Sequence, residues 1–375
     1  MFIPLPTGRG SVTRLPALKR RAILNRLVAI KVIPGLALTL IVPLLAISSG
    51  YAQKEKQVSQ RGADEDVVRV DTTLVTLPVS VSDHHGKLIR DLKREQFHIY
   101  EDGVLQEIIY FESPDSAGHP PPGATQKPFT LALLLDVSDS TEFKLEEIQH
   151  AALAFVALLR PDDRVIVVSF DKRVNFLAEA TNDPEKLRQA ISQTRTGVGT
   201  SLYGALESVI KQRLSRAVGR KAIVLLTDGV DTASVGATSE SAMRAAQESD
   251  AAIYPIQYNT YGDFADNPSR QTSGTDVFGA IAHATRSGEP ASEAYKRANL
   301  YLRLLADKTG GHFQYADSPK NLTRSFERLA SQLRQQYTLG YYPKNKVADG
   351  MPRQVKVEVT LPRMTVRTRK SYIYK

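Results

Sequence analysis

The chain has 375 residues, 42% of them hydrophobic and 24% charged, proportions of an ordinary globular protein that exclude a disordered or collagen-like chain. Cys and Trp are absent and there are seven His, so disulfides, thiolate metal sites and a cysteine nucleophile are excluded. The net charge of +9 is held in two clusters: residues 1–52 carry seven Lys and Arg with no acid, and residues 344–375 carry nine against Asp349 and Glu358. Removing the first cluster leaves +2, so there is no broad basic footprint and no nucleic-acid partner is expected.

The first predicted element is a targeting segment. Residues 32–52 (VIPGLALTLIVPLLAISSGYA) are uncharged and follow the basic stretch, which is the order of a signal peptide. Gly50, Tyr51 and Ala52 offer a cleavage site, with Ala46-Ile47-Ser48 as an alternative. Left uncut, a span of ~20 residues is long enough to tether the protein to a membrane. Either way the remainder is expected beyond the cytoplasmic membrane, periplasmic or extracellular. Residues 53–66 read as a polar linker.

A β-rich segment is expected over 67–112. Val68, Val70, Thr72, Leu74 and Thr76, then Val79 and Val81, alternate, as in a half-buried strand. Glu101-Asp102-Gly103 between Phe97–Tyr100 and Gln106–Phe111 is a hairpin signal. Residues 113–128 form a Pro-rich linker.

From 129 to 336 the pattern changes to alternating strands and helices. Phe129–Leu135, Arg164–Phe170, Ala222–Leu226 and Ala251–Tyr258 are apolar strand-like runs, and Val174–Leu177 is a short return. Leu145 to Leu159, Leu202 to Leu214 and Leu322 to Leu333 have the periodicity of one-faced helices. This order predicts a doubly wound α/β domain with a mostly parallel sheet. Residues 262–292 lack periodicity and read as a surface insertion. The final segment, 337–375, returns to strand alternation with Val355, Val357 and Val359 on one face. Neither β segment is large enough to stand alone, so the two are expected to form one antiparallel unit that acts as a stalk.

The chemistry is concentrated at three strand ends. Asp136, Ser138 and Ser140 follow the first apolar strand in an Asp-x-Ser-x-Ser pattern, Thr200 precedes a helix, and Asp228 follows another apolar strand. Ligands of open parallel sheets bind at the carboxyl ends of strands, and carboxylate and hydroxyl oxygens suit a hard divalent ion. Hydrolase, zinc-protease and phosphate-loop motifs are missing, so no enzyme is expected.

The five residues resemble the metal-ion-dependent adhesion site of von Willebrand factor type A domains, whose pattern is filled at every position. The flanks, around Glu101-Asp102-Gly103 and over 337–343, resemble the bacterial VWFA-related family described from Acidobacteria. The resemblance implies a Rossmann-like fold and a site for Mg2+, with Mn2+ or Ca2+ as alternatives. It implies direct coordination by Ser138 and Ser140, direct or water-mediated coordination by Thr200, and mostly water-mediated coordination by Asp136 and Asp228. A partner protein would complete the coordination with an Asp or Glu. The expected role is adhesion or envelope scaffolding; a subunit or regulator of an envelope transport or channel assembly and a metal-dependent hydrolase remain the alternatives.

Several residues have plainer readings. Asp139 and Asp231 read as solvated loop acids beside the site, His84-His85 as a turn, and Asn321 as a helix N-cap rather than a glycosylation acceptor. Tyr337, Tyr341 and Tyr342 read as half-buried strand aromatics, with a partner surface as the alternative. The basic stretch 363–370 reads as a solvated face, or else as a contact for lipid or acidic polymers.

Overall fold

The computed structural model describes residues 74–114, 129–258 and 290–374. The leader with its tether span 32–52, the 53–66 linker, the alternation at Val68, Val70 and Thr72, residues 115–128 of the Pro-rich linker and residues 262–289 of the expected insertion lie outside them.

The first strand, β1 (Val75–Ser82), buries Val75, Leu77, Val79 and Val81. Its inward face is therefore the odd-numbered one throughout, not the face of Leu74 and Thr76. Thr76 and Pro78 instead face the α/β domain, which supplies the partner surface that β1 alternation alone does not reveal. Strands β2 (Phe97–Glu101) and β3 (Val104–Gln106) form a hairpin. Its two turn residues, Asp102 and Gly103, have φ of 47° and 81°, as a type I′ turn requires. The apolar run expected over Gln106–Phe111 is split. Gln106 ends β3, and β4 (Tyr110–Glu112) belongs to another sheet, where it pairs with Thr338–Gly340.

The α/β domain follows the expected alternation. Strand β5 (Thr130–Asp136) leads to α1 (Leu145–Ala157), then β6 (Arg164–Phe170) and β7 (Val174–Thr181). Helices α2 (Pro184–Ser192) and α3 (Leu202–Gln212) precede β8 (Lys221–Thr227), α4 (Ser239–Glu248) and β9 (Ala252–Tyr258). Helix α5 (Ala291–Thr309), β10 (Gln314–Ala316) and α6 (Pro319–Arg334) complete it. Helices α2, α4 and α5 have no counterpart in the sequence reading, and α5 takes up Ala291 and Ser292 from the expected insertion. Asp183 caps α2, accepting from Glu185 N and Lys186 N, with Pro184 in the first turn. The cap of α6 is Ser318, not Asn321: Ser318 Oγ accepts from Asn321 N, and the Asn321 amide turns back to Asp317.

The six strands lie in the order β10-β9-β8-β5-β6-β7, parallel except for β7. Both faces of the sheet are covered, which is why β5 is apolar from Leu131 to Leu135. Leu131, Leu133 and Leu135 pack with α1, α2 and α6, and Ala132 and Leu134 with α3, α4 and α5. From β5 the chain moves first to β6 on one side and later to β8 on the other, so the switch point of the sheet lies between β5 and β8.

The last strands are β11 (Tyr337–Tyr341), β12 (Pro352–Val359), β13 (Thr365–Arg367) and β14 (Ser371–Ile373). They combine with the first four into two antiparallel sheets, β13-β1-β11-β4 and β14-β12-β2-β3. One apolar cluster, including Leu77, Ile99, Tyr337, Leu339 and Val357, fills the space between them. The flanking segments thus form one antiparallel β-sandwich. It packs on the amino-terminal ends of β5, β8 and β9, where Thr76, Pro78 and Thr338 meet Phe129, Lys221 and Ala252. Strand β5 spans the domain from there to Asp136, about 20 Å at ~3.3 Å per residue.

The basic tail is a tie between the two parts. Arg369 is 3% exposed and donates to Gln247 O and Ser371 O, and Lys370 pairs with Asp307. The reading of 363–370 as a solvated face holds for Arg363, Thr365, Arg367 and Lys370, which are exposed, but not for Arg369, where the backbone of Thr368 and Arg369 lies against Gly310. Removing 344–375 takes away β12, the neighbour of β2 in five paired positions. Amides of Phe97–Glu101 should then exchange with solvent faster by orders of magnitude; unchanged protection in hydrogen exchange would contradict this pairing.

Candidate metal centre

Asp136 is the last residue of β5, and Thr227 is the last of the neighbouring β8. Parallel pairing sets Leu135 opposite Leu226, which brings the next residues together. Thr227 Oγ1 donates to Asp136 Oδ2 at 2.6 Å, and Ser138 N donates to Asp136 Oδ1 at 3.0 Å. The chain then makes a short 3-10 turn over Asp139–Lys144, so Ser138 and Ser140 point toward the same place. Their hydroxyls are 3.0 Å apart, and Ser140 Oγ donates to Asp228 Oδ2 at 2.9 Å.

Asp228 follows β8 directly. Its Oδ1 accepts from Val230 N at 3.0 Å, and its Oδ2 also accepts from the Tyr295 hydroxyl at 3.3 Å. Gln257 Nε2 holds its carbonyl at 2.8 Å. Four of the five expected residues therefore form one hydrogen-bonded cluster.

Thr200 joins through its loop. Gly197 pairs with Ser138 and donates from N to Val137 O at 2.8 Å. A Cβ at Gly197 would lie 1.9 Å from Asp171 Oδ2, so only glycine fits. On the other side Thr200 O accepts from Thr232 N and Ala233 N at 2.9 Å each. The Thr200 backbone is thus tied to both the β5 and β8 loops.

Asp231 is not a solvated acid. It accepts from Tyr203 N at 3.0 Å and from Ser234 Oγ at 2.5 Å, and Ser234 Oγ in turn accepts from Gly204 N. These contacts satisfy first-turn amides of α3, whose N-cap Ser201 makes no side-chain cap bond. Burial holds the Asp231 carboxyl above its ordinary range despite those bonds. Thr227, Tyr295 and Asp171 are absent from the sequence reading, and Asp231 appears there only as a solvated acid. Thr227 ends β8, Asp171 directly follows β6, and Asp231 lies three residues past Asp228, but Tyr295 carries no local signal at all.

The site is deeper than its loop position suggests. Asp136, Ser138, Asp228 and Thr200 are 1%, 1%, 2% and 4% exposed. Two carboxylates buried together repel each other: burial first, then the charge of Asp228, pushes Asp136 up to about 7. Among the described residues no group of three or more His, Cys, Asp or Glu forms a metal cluster, so any ion here would depend on the serine and threonine hydroxyls. That donor set, all hard oxygen, fits Mg2+, Mn2+ or Ca2+.

The chemistry fixes a pH dependence. An ion at this site would need Asp136 as a carboxylate, so apparent Mg2+ affinity is expected to fall as the pH drops below about 7. In chelator the sign for stability is the reverse. The folded state holds the Asp136 proton more tightly than the unfolded chain, so this group makes the fold less stable as pH rises toward 7. Titration calorimetry and chelator-held denaturation, both compared with Asp136→Asn, check the two slopes.

Residues 131–230 match the model of the von Willebrand factor type A domain, and the chain carries a domain of that family, with the α/β fold described above. An uncharacterized protein of Synechocystis sp. is 32% identical over 106 residues, 27% of this chain and 25% of that protein. The chain thus spans about a quarter of the length of this curated relative. Among solved structures it is similar to the vWF domain of the type V pili tip protein Mfa5 from Porphyromonas gingivalis (17% identity, 56% of this chain and 96% of that one, TM-score 0.42). It is also similar to a von Willebrand factor type A protein from Catenulispora acidiphila (9% identity, 82% of this chain and 75% of that one, TM-score 0.43). Domains of this type are typically protein-interaction modules.

Proposed function

We propose that this protein is an exported, divalent-ion-dependent binding module that captures an Asp or Glu of a partner protein. Asp136, Ser138, Ser140, Thr200 and Asp228 would hold the ion, Mg2+ in the first place. When bound, the ion supplies an electrophilic centre to which a partner's carboxylate can be attached. The observation that carries this reading is the pair of buried, mutually repelling carboxylates joined to two serine hydroxyls at the switch point of the sheet. A divalent cation relieves that repulsion, whereas a purely structural loop has no use for it.

The residues of this chain have further roles in the reading. Thr227 and Ser138 N orient Asp136, and Tyr295 and Val230 N orient Asp228. Val198 and Val235, 64% and 94% exposed on the loops of Thr200 and Asp228, would give the partner an apolar rim around its carboxylate. Ser138 and Ser140 bond to each other and Ser140 donates to Asp228, and among the described residues neither hydroxyl is hydrogen-bonded to a histidine that could make it a nucleophile. This favours binding without turnover. Export rests on the order of charge and hydrophobicity in residues 1–52.

The test is surface binding of the full chain to immobilised peptides bearing Asp or, as control, Asn. Capture by the Asp surface in Mg2+, lost in chelator and absent on the Asn surface, is expected. Capture that is indifferent to chelator would remove the reading.

A further inference from the structure

A second recognition feature lies between the α/β domain and the sandwich. Strand β10 is the outer strand of the six-stranded sheet, and among the described residues it pairs only with β9. Its free edge looks into a cleft of about 590 Å3 walled by α6, β1 and β13. Short edge strands usually face open water; this one faces a walled slot.

The lining of the cleft is one-sided in charge. Arg328 and Arg367 line it together with serines and glutamines, and it has no acid. An adjoining groove shares His312, Phe313 and Arg367 and adds Arg303, Lys356 and Lys370 against the single acid Asp307. Arg367 Nη1 donates to His312 Nδ1 at 2.7 Å. Burial, then the Arg367 charge, lowers His312 to about 4, so this neighbour is neutral and leaves the guanidinium charge uncompensated.

Two polar groups at the cleft are unfinished. Ser80 and Gln314 are 6% and 9% exposed, both line it, and Ser80 Oγ and Gln314 Nε2 have no hydrogen-bond partner. A buried polar group without a partner is costly and rare. Tyr315, 47% exposed, adds an aromatic face of the kind found at binding surfaces.

We propose that this cleft binds an extended acidic peptide of a partner protein, added as a strand along the free edge of β10. Main-chain bonds to the edge supply the affinity of such additions, and flanking side chains supply the selectivity. Here Arg328 and Arg367 select carboxylates on alternate residues. None of Asp136, Ser138, Ser140, Thr200 and Asp228 lines the cleft, so binding needs no divalent ion.

The experiment is fluorescence anisotropy of a labelled octapeptide of alternating Glu and Val with the full chain. Saturable binding is expected, weakened by salt but unchanged by chelator or by Asp136→Ala. The double variant R328E/R367E should bind at least tenfold more weakly at an unchanged thermal midpoint. Should that variant not fold, R328Q is read in its place, with a smaller loss in the same direction. A peptide N-methylated on alternate amides should also lose at least tenfold. Absence of saturable binding, equal binding by the arginine variants, equal binding of the N-methylated peptide, or binding of phosphatidylglycerol vesicles in place of the peptide would each overturn the proposal. Because chelator separates the two sites, its failure is distinguishable from failure of the metal-dependent reading.

Discussion

Replacing Asp136 by alanine should reduce Mg2+ affinity at least about 100-fold, beyond the tenfold to hundredfold loss typical of an outer-shell partner. Asp136 is the hub of the cluster: Thr227 Oγ1 and Ser138 N both donate to it, and burial, then the charge of Asp228, raises its pKa. The fold should survive. In the ion-free protein the substitution removes one of two repelling buried charges, which offsets the loss of two hydrogen bonds. Calorimetric titration with Mg2+, alongside thermal unfolding in chelator, reads both effects. Unchanged affinity in a folded variant would show that the five residues do not form an ion site.

The largest loss of stability is expected far from that site. Glu101 and Arg353 form an ion pair at 2.9 Å inside the sandwich, with side chains 2% and 4% exposed. Glu101 Oε2 also accepts from the hydroxyls of Tyr341 and Tyr372 at 2.6 Å each. Burial and the neighbouring carboxylate hold both phenols protonated well above their ordinary range. Arg353 further donates to the carbonyls of Asn345 and Val347 at 2.5 Å each and lies over the Tyr374 ring.

Arg353→Ala strips the cation from a buried carboxylate and should cost about 3–5 kcal/mol. For a protein of this size that corresponds to a midpoint lower by on the order of 10 °C. The double replacement Glu101→Gln with Arg353→Met should cost less than Arg353→Ala alone, because no unpaired charge remains. Denaturant unfolding of the three proteins decides it. A loss under about 1 kcal/mol in Arg353→Ala would mean that water reaches Glu101.

These two sites differ in how far they can be read from residues. Asp136, Ser138 and Ser140 are neighbours in the chain, and their strand-then-turn setting is written in the apolar run before them. Asp228 has the same setting after β8. Each strand announces itself locally because a central parallel strand must be apolar on both faces, so its end, and the polar residues there, can be placed without knowing its neighbours. The Asp102-Gly103 turn is legible for a similar reason: positive φ at two successive positions restricts the residue types.

Other features depend on which surfaces meet. Glu101 and Arg353 are 252 positions apart, and nothing near either residue says that it is buried or paired. The inward face of β1 follows from the second sheet above it and the α/β domain below, so Leu74 and Thr76 could not be assigned from alternation alone. The basic tail looks like a solvated stretch until Arg369 is seen beneath Gln247, with the chain passing over Gly310. Tyr295 reaches Asp228 only because α5 packs over the end of β8. Residue type and spacing determined the layered α/β core and the strand ends that carry Asp136 and Asp228, since those depend on interactions within a few residues. Tertiary structure alone decided the charge pairs, the contacts of Thr227 and Tyr295 with the two site carboxylates and the edge position of β10 among the described strands, because burial and partnership are properties of surfaces brought together across the whole chain.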